Sequence, residues 1–117
     1  MEIHQIGQGL ESLGKEISNG LYEEYYDAKT EAESLEEYKK TMLAVAEIEV
    51  WSKHPDATQA EIGRRALASD SYKEYLQGLK EAQLRMNKAL ARVKSVESRI
   101  SIYQSINKHL QYTELNQ

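Results

Sequence analysis

Across residues 79–110 apolar side chains return on a seven-residue cycle. Leu79, Met86, Val93 and Ile100 hold one seam position, and Ala82, Ala89, Val96, Tyr103 and Leu110 the other. Such spacing keeps one stripe of an α-helix turned toward a neighbouring helix for turn after turn. It is incompatible with a strand, whose side chains alternate with period two. Arg85, Arg92 and Arg99 each stand immediately before a first-seam residue. A row of guanidinium groups therefore borders the apolar seam, and whatever packs there has to accommodate it.

Composition narrows what that helix can pack against. The chain has 117 residues, 40% of them hydrophobic, with no phenylalanine and no cysteine. This is one domain's worth of chain, too poor in large apolar groups to fill a thick core. It suits long helices that share narrow faces with each other and with further copies. Without cysteine there is no disulfide framework, no thiolate nucleophile and no cysteine-ligated zinc, so a reducing cytoplasm is the expected compartment. Residues 1–10 lack a basic stretch followed by an apolar run, and no segment nears the roughly 18 apolar residues of a membrane span. Neither export by the usual signal nor a membrane partner is expected.

Glycine and proline divide the chain into four regions. Residues 1–20 carry Gly7, Gly9, Gly14 and Gly20 among Ile3, Ile6, Leu10, Leu13 and Ile17. Each glycine weakens a helix by about 1 kcal/mol relative to alanine, so this segment reads as an arm, either a frayed amphipathic helix or a mobile tail. Residues 21–51 contain no glycine or proline, and Leu21, Ala28, Leu35 and Met42 alternate at helical spacing with Tyr25, Ala32, Lys39 and Ala46. That predicts one helix of about 30 residues, about 45 Å long.

Pro55 then breaks the chain within residues 52–56. Thr58 and Glu61 have capping-box spacing, and Ile62, Ala66 and Leu67 give a short amphipathic helix behind them. Ser69-Asp70-Ser71 closes that piece, with Asp70 or Ser71 expected to cap a last helix over about residues 72–110. Gly78, inside it, reads as a point of close approach. The expected fold is all-α: an antiparallel, coiled-coil-like hairpin of two long helices with a short elbow helix. Residues 21–117 would form that domain behind the arm of residues 1–20. Leu43, Val50, Leu76 and Leu90 lie off the main seam, which predicts self-association.

Catalytic chemistry finds little foothold. His4, His54 and His109 are each isolated from any acid or second histidine at metal spacing on a helix face. Glu23, Glu24, Glu31, Glu33, Glu36 and Glu37 lack the Glu-x-x-His pairs of a carboxylate-bridged metal bundle, and read instead as a solvated face that complements a basic neighbour. No phosphate-binding loop, nucleophile elbow or dinucleotide fingerprint occurs. No enzyme activity, cofactor or metal is expected.

Charge is the stronger signal. The net charge is −4, but residues 1–50 hold twelve acids against four bases and the remainder seven against eleven. Arg85, Lys88, Arg92 and Arg99 fall within a narrow arc of one helix, with Lys80 and Lys108 toward its ends, and Arg64-Arg65 add positive charge in the elbow helix. Two arrangements fit this pattern. The arginines can grip phosphates, which suits their forked donors and makes affinity fall with salt, or they can pair with Glu24, Glu31, Glu33 or Glu36 across the seam. The tyrosines carry a similar choice. Antiparallel folding brings Tyr22, Tyr25 and Tyr26 toward Tyr103 and Tyr112, either to pack together or to stack on unpaired bases.

Several stretches taken together resemble a known group. They are Tyr25-x-x-Ala28-Lys29, the helix ending near Trp51, the elbow with Pro55, the Ser69-Asp70-Ser71-Tyr72 start, and Val93-Lys94-x-Val96-Glu97-x-Arg99 followed by Ile106-x-Lys108-x-Leu110. Over roughly residues 22–112 this order is similar to small tailed-phage proteins related to the UvsY-type recombination mediators. The resemblance implies an accessory protein that binds single-stranded DNA, assembles into a ring-like homo-oligomer, and helps a recombinase or annealing protein displace a single-strand-binding protein. The Lys-Ala-Arg-Leu element that the family carries late in its first helix is absent, since that helix here ends Ala46-Glu47-Ile48-Glu49-Val50-Trp51. Lys88-Ala89-Leu90-Ala91-Arg92 looks similar but lies in the later helix, so the site is not carried over. The expected nucleic-acid contacts are Arg85, Lys88, Arg92, Arg99, Arg64, Arg65 and Lys108. The alternative is a structural or assembly adaptor that does not bind nucleic acid and holds its arginines in salt bridges.

Overall fold

The structure, a computed structural model, describes residues 3–115, and every regular element among them is helical. The helices are α1 (Ile3–Ser18), α2 (Leu21–Glu37), α3 (Lys39–Lys53), α4 (Gln59–Leu67) and α5 (Asp70–Leu115). The chain is all-α, as the period of its apolar residues requires.

Residues 21–51, expected as one helix, form α2 and α3 with a single turn residue, Tyr38, between them. The backbone bonds run on through it: the Tyr38 N–H donates to the Ser34 carbonyl at 3.3 Å, and the Met42 N–H to the Tyr38 carbonyl at 2.9 Å. Tyr38 has ψ −3°, flatter than a helix, and its side chain is exposed. At the elbow, His54 leaves the helical region (φ −132°, ψ 69°) because the ring of Pro55 crowds the residue before it. Thr58 Oγ1 then accepts the Glu61 N–H at 3.2 Å and opens α4.

The start of α5 differs from expectation. The hydroxyl that accepts its orphan N–H is that of Ser69, from Tyr72 at 3.3 Å, and neither Asp70 nor Ser71 takes that role. The same Ser69 Oγ donates to the Ala66 carbonyl at 2.7 Å. One hydroxyl thus terminates α4 and starts α5, which is why α5 begins at Asp70, two residues earlier than the spacing suggested.

Packing divides the chain into two units, whose boundaries fall inside α2 and α5. One unit is Ala28–Met86; the other joins the chain up to Asp27 with the chain from Asn87 onward. In the first, Ala46, Ala66 and Tyr72 are buried, with Met42, Leu43, Val50, Tyr75 and Leu76 packed against them. Leu43, Val50 and Leu76 are therefore used within the chain, so three of the four residues thought to require a second copy do not. The hydroxyl of Tyr75 donates to the Leu35 carbonyl. Burial first, then the nearby Glu36 carboxylate and Tyr72, push the Tyr75 pKa above its ordinary value. Gly78 is no close approach: a Cβ there would meet nothing within 4 Å.

In the second unit Leu13, Leu21, Val93 and Val96 form the core, with Ile17, Tyr22, Tyr25, Ile100 and Tyr103 against it. The segment expected as an arm is here a packed helix. Ile6 and Leu13 of α1 are buried, and this tertiary contact supplies what its glycines withhold. Gly9 is the real close approach, since a Cβ there would lie 2.6 Å from Tyr103 Cζ. Gly20 ends α1 in the left-handed region (φ 95°), its N–H donating to the Ile17 carbonyl at 3.2 Å as in a glycine C-cap. Leu21, the next residue, folds back onto Leu13 and Ile17. Of the tyrosines expected to gather, Tyr22, Tyr25 and Tyr103 share this core, Tyr26 stands at its edge with its ring centroid 5.4 Å from that of Tyr25, and Tyr112 is exposed.

Candidate nucleic-acid interface

The seam of α5 is buried or half-buried at every position named from the heptad, so the register that places the arginines at its edge is correct. Two of the three arginines meet carboxylates within their own unit. Arg85 Nη2 lies 2.7 Å from Glu31 Oε1, and Arg92 Nη1 lies 2.7 Å from Glu24 Oε2. A step of seven forward on α5 is matched by a step of seven backward on α2, as antiparallel helices require. The next backward step arrives at Ile17, beyond the Gly20 turn, where no acid stands. Arg99 accordingly bonds to Ser95 Oγ of its own helix at 3.1 Å.

Both ion pairs remain wet. The side chains are 55% and 51% exposed in the Arg85–Glu31 pair, and 60% and 55% in the Arg92–Glu24 pair. Pairs this exposed stabilise by about 0.2–1 kcal/mol, so a stronger anion can take the guanidinium from its carboxylate.

The remaining expected contacts divide. Lys88 is exposed on the same arc as Arg92 and Arg99. Lys108 is also exposed, but it follows Arg99 by nine residues, or two and a half helical turns, and projects from the opposite side of α5. Arg64 is exposed in the last turn of α4, and Arg65 donates to His54 Nε2 at 3.2 Å. That contact makes Arg65 part of the elbow.

The sequence reading overlooked a cleft of about 340 Å³ between α3 and α4, where Ala44, Glu47, Ile48 and Trp51 face Ile62. Its signal was present. Ala44, Ile48 and Trp51 recur at intervals of four and three, off the stripe formed by Met42, Ala46 and Val50. Ile48 is 63% exposed and Trp51 58%. A second cleft at the elbow places Lys53, His54 and Arg65 beside Asp56 and Glu61, so its charges largely cancel.

Among the described residues, no three acidic, histidine or cysteine groups are placed to share a metal ion, and no helix is long and apolar enough to cross a membrane. Comparison with known proteins returns no match: no family model, no curated protein and no solved structure matches this chain.

Proposed function

We propose that this chain is a non-enzymatic, self-associating accessory protein that holds single-stranded DNA on the basic flank of α5 and helps load a recombinase or annealing protein, in the manner of a recombination mediator. The observation that carries this reading is Arg99, the member of the arginine row that meets no carboxylate across the seam among the described residues and bonds instead to Ser95, with Lys88 exposed on the same arc. On that arc Lys88, Arg92 and Arg99 concentrate positive charge, with Arg92 shared with the exposed Glu24 carboxylate. That excess attracts a polyanion, and each phosphate neutralised releases counterions.

Fluorescence anisotropy of a labelled oligonucleotide across a salt series tests it. Wild type should bind at low salt, with a log-log slope of about −0.7 per phosphate contacted. Replacing Lys88 and Arg99 with alanine should flatten the slope by about 1.4 with helicity unchanged. Wild type that fails to bind at low salt, or a double variant with an unchanged slope, refutes the assignment.

A second reading, an assembly adaptor that does not bind nucleic acid, is favoured by the Arg85–Glu31 and Arg92–Glu24 pairs, which engage two of the three row arginines inside the fold. The same salt series separates the two, because an adaptor gives no oligonucleotide signal at any ionic strength.

A further inference from the structure

The cleft between α3 and α4 offers the apolar surface of Ala44, Ile48, Trp51 and Ile62 beside the Gln59 amide, and among the described residues that line it Glu47 is the one ionised group. Ala44, Ile48 and Trp51 present one continuous helical face to it, and the two large side chains stand more than half exposed. A groove of this kind suits a helix that brings an apolar knob with a cation beside it. This chain carries such a knob on α5. Leu84 is 53% exposed, and Lys80 lies one turn before it on the same face. The acid nearest in sequence, Glu81, is held by the Gln77 amide at 3.2 Å.

We infer that the α3–α4 cleft receives α5 of a second copy of this chain, with Leu84 of that copy seated between Ile48, Trp51 and Ile62 and its Lys80 meeting Glu47. The contact is heterologous, because the surface given differs from the surface received. This inference rests on the proposed self-association and specifies the surfaces that produce it.

The absence of cysteine makes the test clean. Trp51→Cys and Leu84→Cys are prepared separately, mixed, and treated with a short bis-maleimide. Cross-linked dimer should form in the mixture and not in either variant alone. Cross-linking of Trp51→Cys with itself would show a face-to-face contact and overturn the pairing, and so would no cross-link in the mixture. In parallel, Trp51→Asp should raise the dissociation constant by about tenfold or more while circular dichroism stays unchanged. Glu47→Lys and Lys80→Glu should each weaken association, and the two together should restore it. Wild type at 13.4 kDa by light scattering at high concentration would overturn self-association itself. Wild type that associates as strongly as Trp51→Asp would overturn only this surface.

Discussion

Gly9 and Gly78 both sit inside helices, and they should respond to alanine in opposite directions. At Gly78 an added Cβ meets nothing within 4 Å, so only the backbone terms act. Alanine gains helix propensity and reduces the freedom of the unfolded chain, a stabilisation of about 0.5–1 kcal/mol. At Gly9 the same gain is opposed by Tyr103, whose Cζ, Oη and Cε1 would lie 2.6, 2.9 and 3.0 Å from the new methyl group. Ordinary carbon contacts are at about 3.5–4.0 Å, so the ring must move by roughly 1 Å off the Leu13–Val93 core it packs against. Overpacking of that size costs about 1–3 kcal/mol, which leaves Gly9→Ala neutral to about 2.5 kcal/mol less stable than wild type. Thermal melts followed at 222 nm should show Gly78→Ala rising by a few degrees, at about 4–8 °C per kcal/mol, and Gly9→Ala unchanged or falling. In a Tyr103→Ala background the obstruction is gone, and Gly9→Ala should then stabilise. Equal stabilisation by the two single variants would refute the account of α1 docking, and a destabilised Gly78→Ala would refute the open space at that site.

Three further outcomes are expected. A double-mutant cycle on Arg85 and Glu31, measured by urea unfolding, should give a coupling of about 0.2–1 kcal/mol that shrinks as salt is added, and the same cycle on Arg99 and Glu24 should give none. Ser69→Ala should cost about 1 kcal/mol in the same assay, clearly more than Asp70→Ala or Ser71→Ala, because the hydroxyl serves two helix ends. The raised pKa of Tyr75 favours its neutral form in the folded state, so the stability it lends is present below the ordinary value of 10.0 and is lost as pH rises through the folded pKa. Tyr75→Phe should therefore be less stable than wild type near neutral pH, where it lacks the bond to Leu35, and the gap should narrow above pH 10.0; a gap constant with pH would contradict this.

The heptads of α5, the Pro55 break and the Thr58 cap were legible in the sequence because each depends on residues within a turn or two of one another. A seven-residue period fixes which face is buried whatever the partner, and a proline constrains the residue before it without outside help. The arginine row was legible for the same reason, as a position on a helix. What its members touch was not. Which arginine faces a carboxylate depends on antiparallel register and on where α2 begins after the Gly20 turn, so Arg85 and Arg92 meet glutamates while Arg99 bonds to Ser95 of its own helix. The α1 helix and the fate of its glycines also required tertiary structure. Local propensity argued against that helix, and burial of Ile6 and Leu13 overrode it. Gly9 and Gly78 look alike in sequence, and only the position of the Tyr103 ring, more than ninety residues from Gly9, separates them.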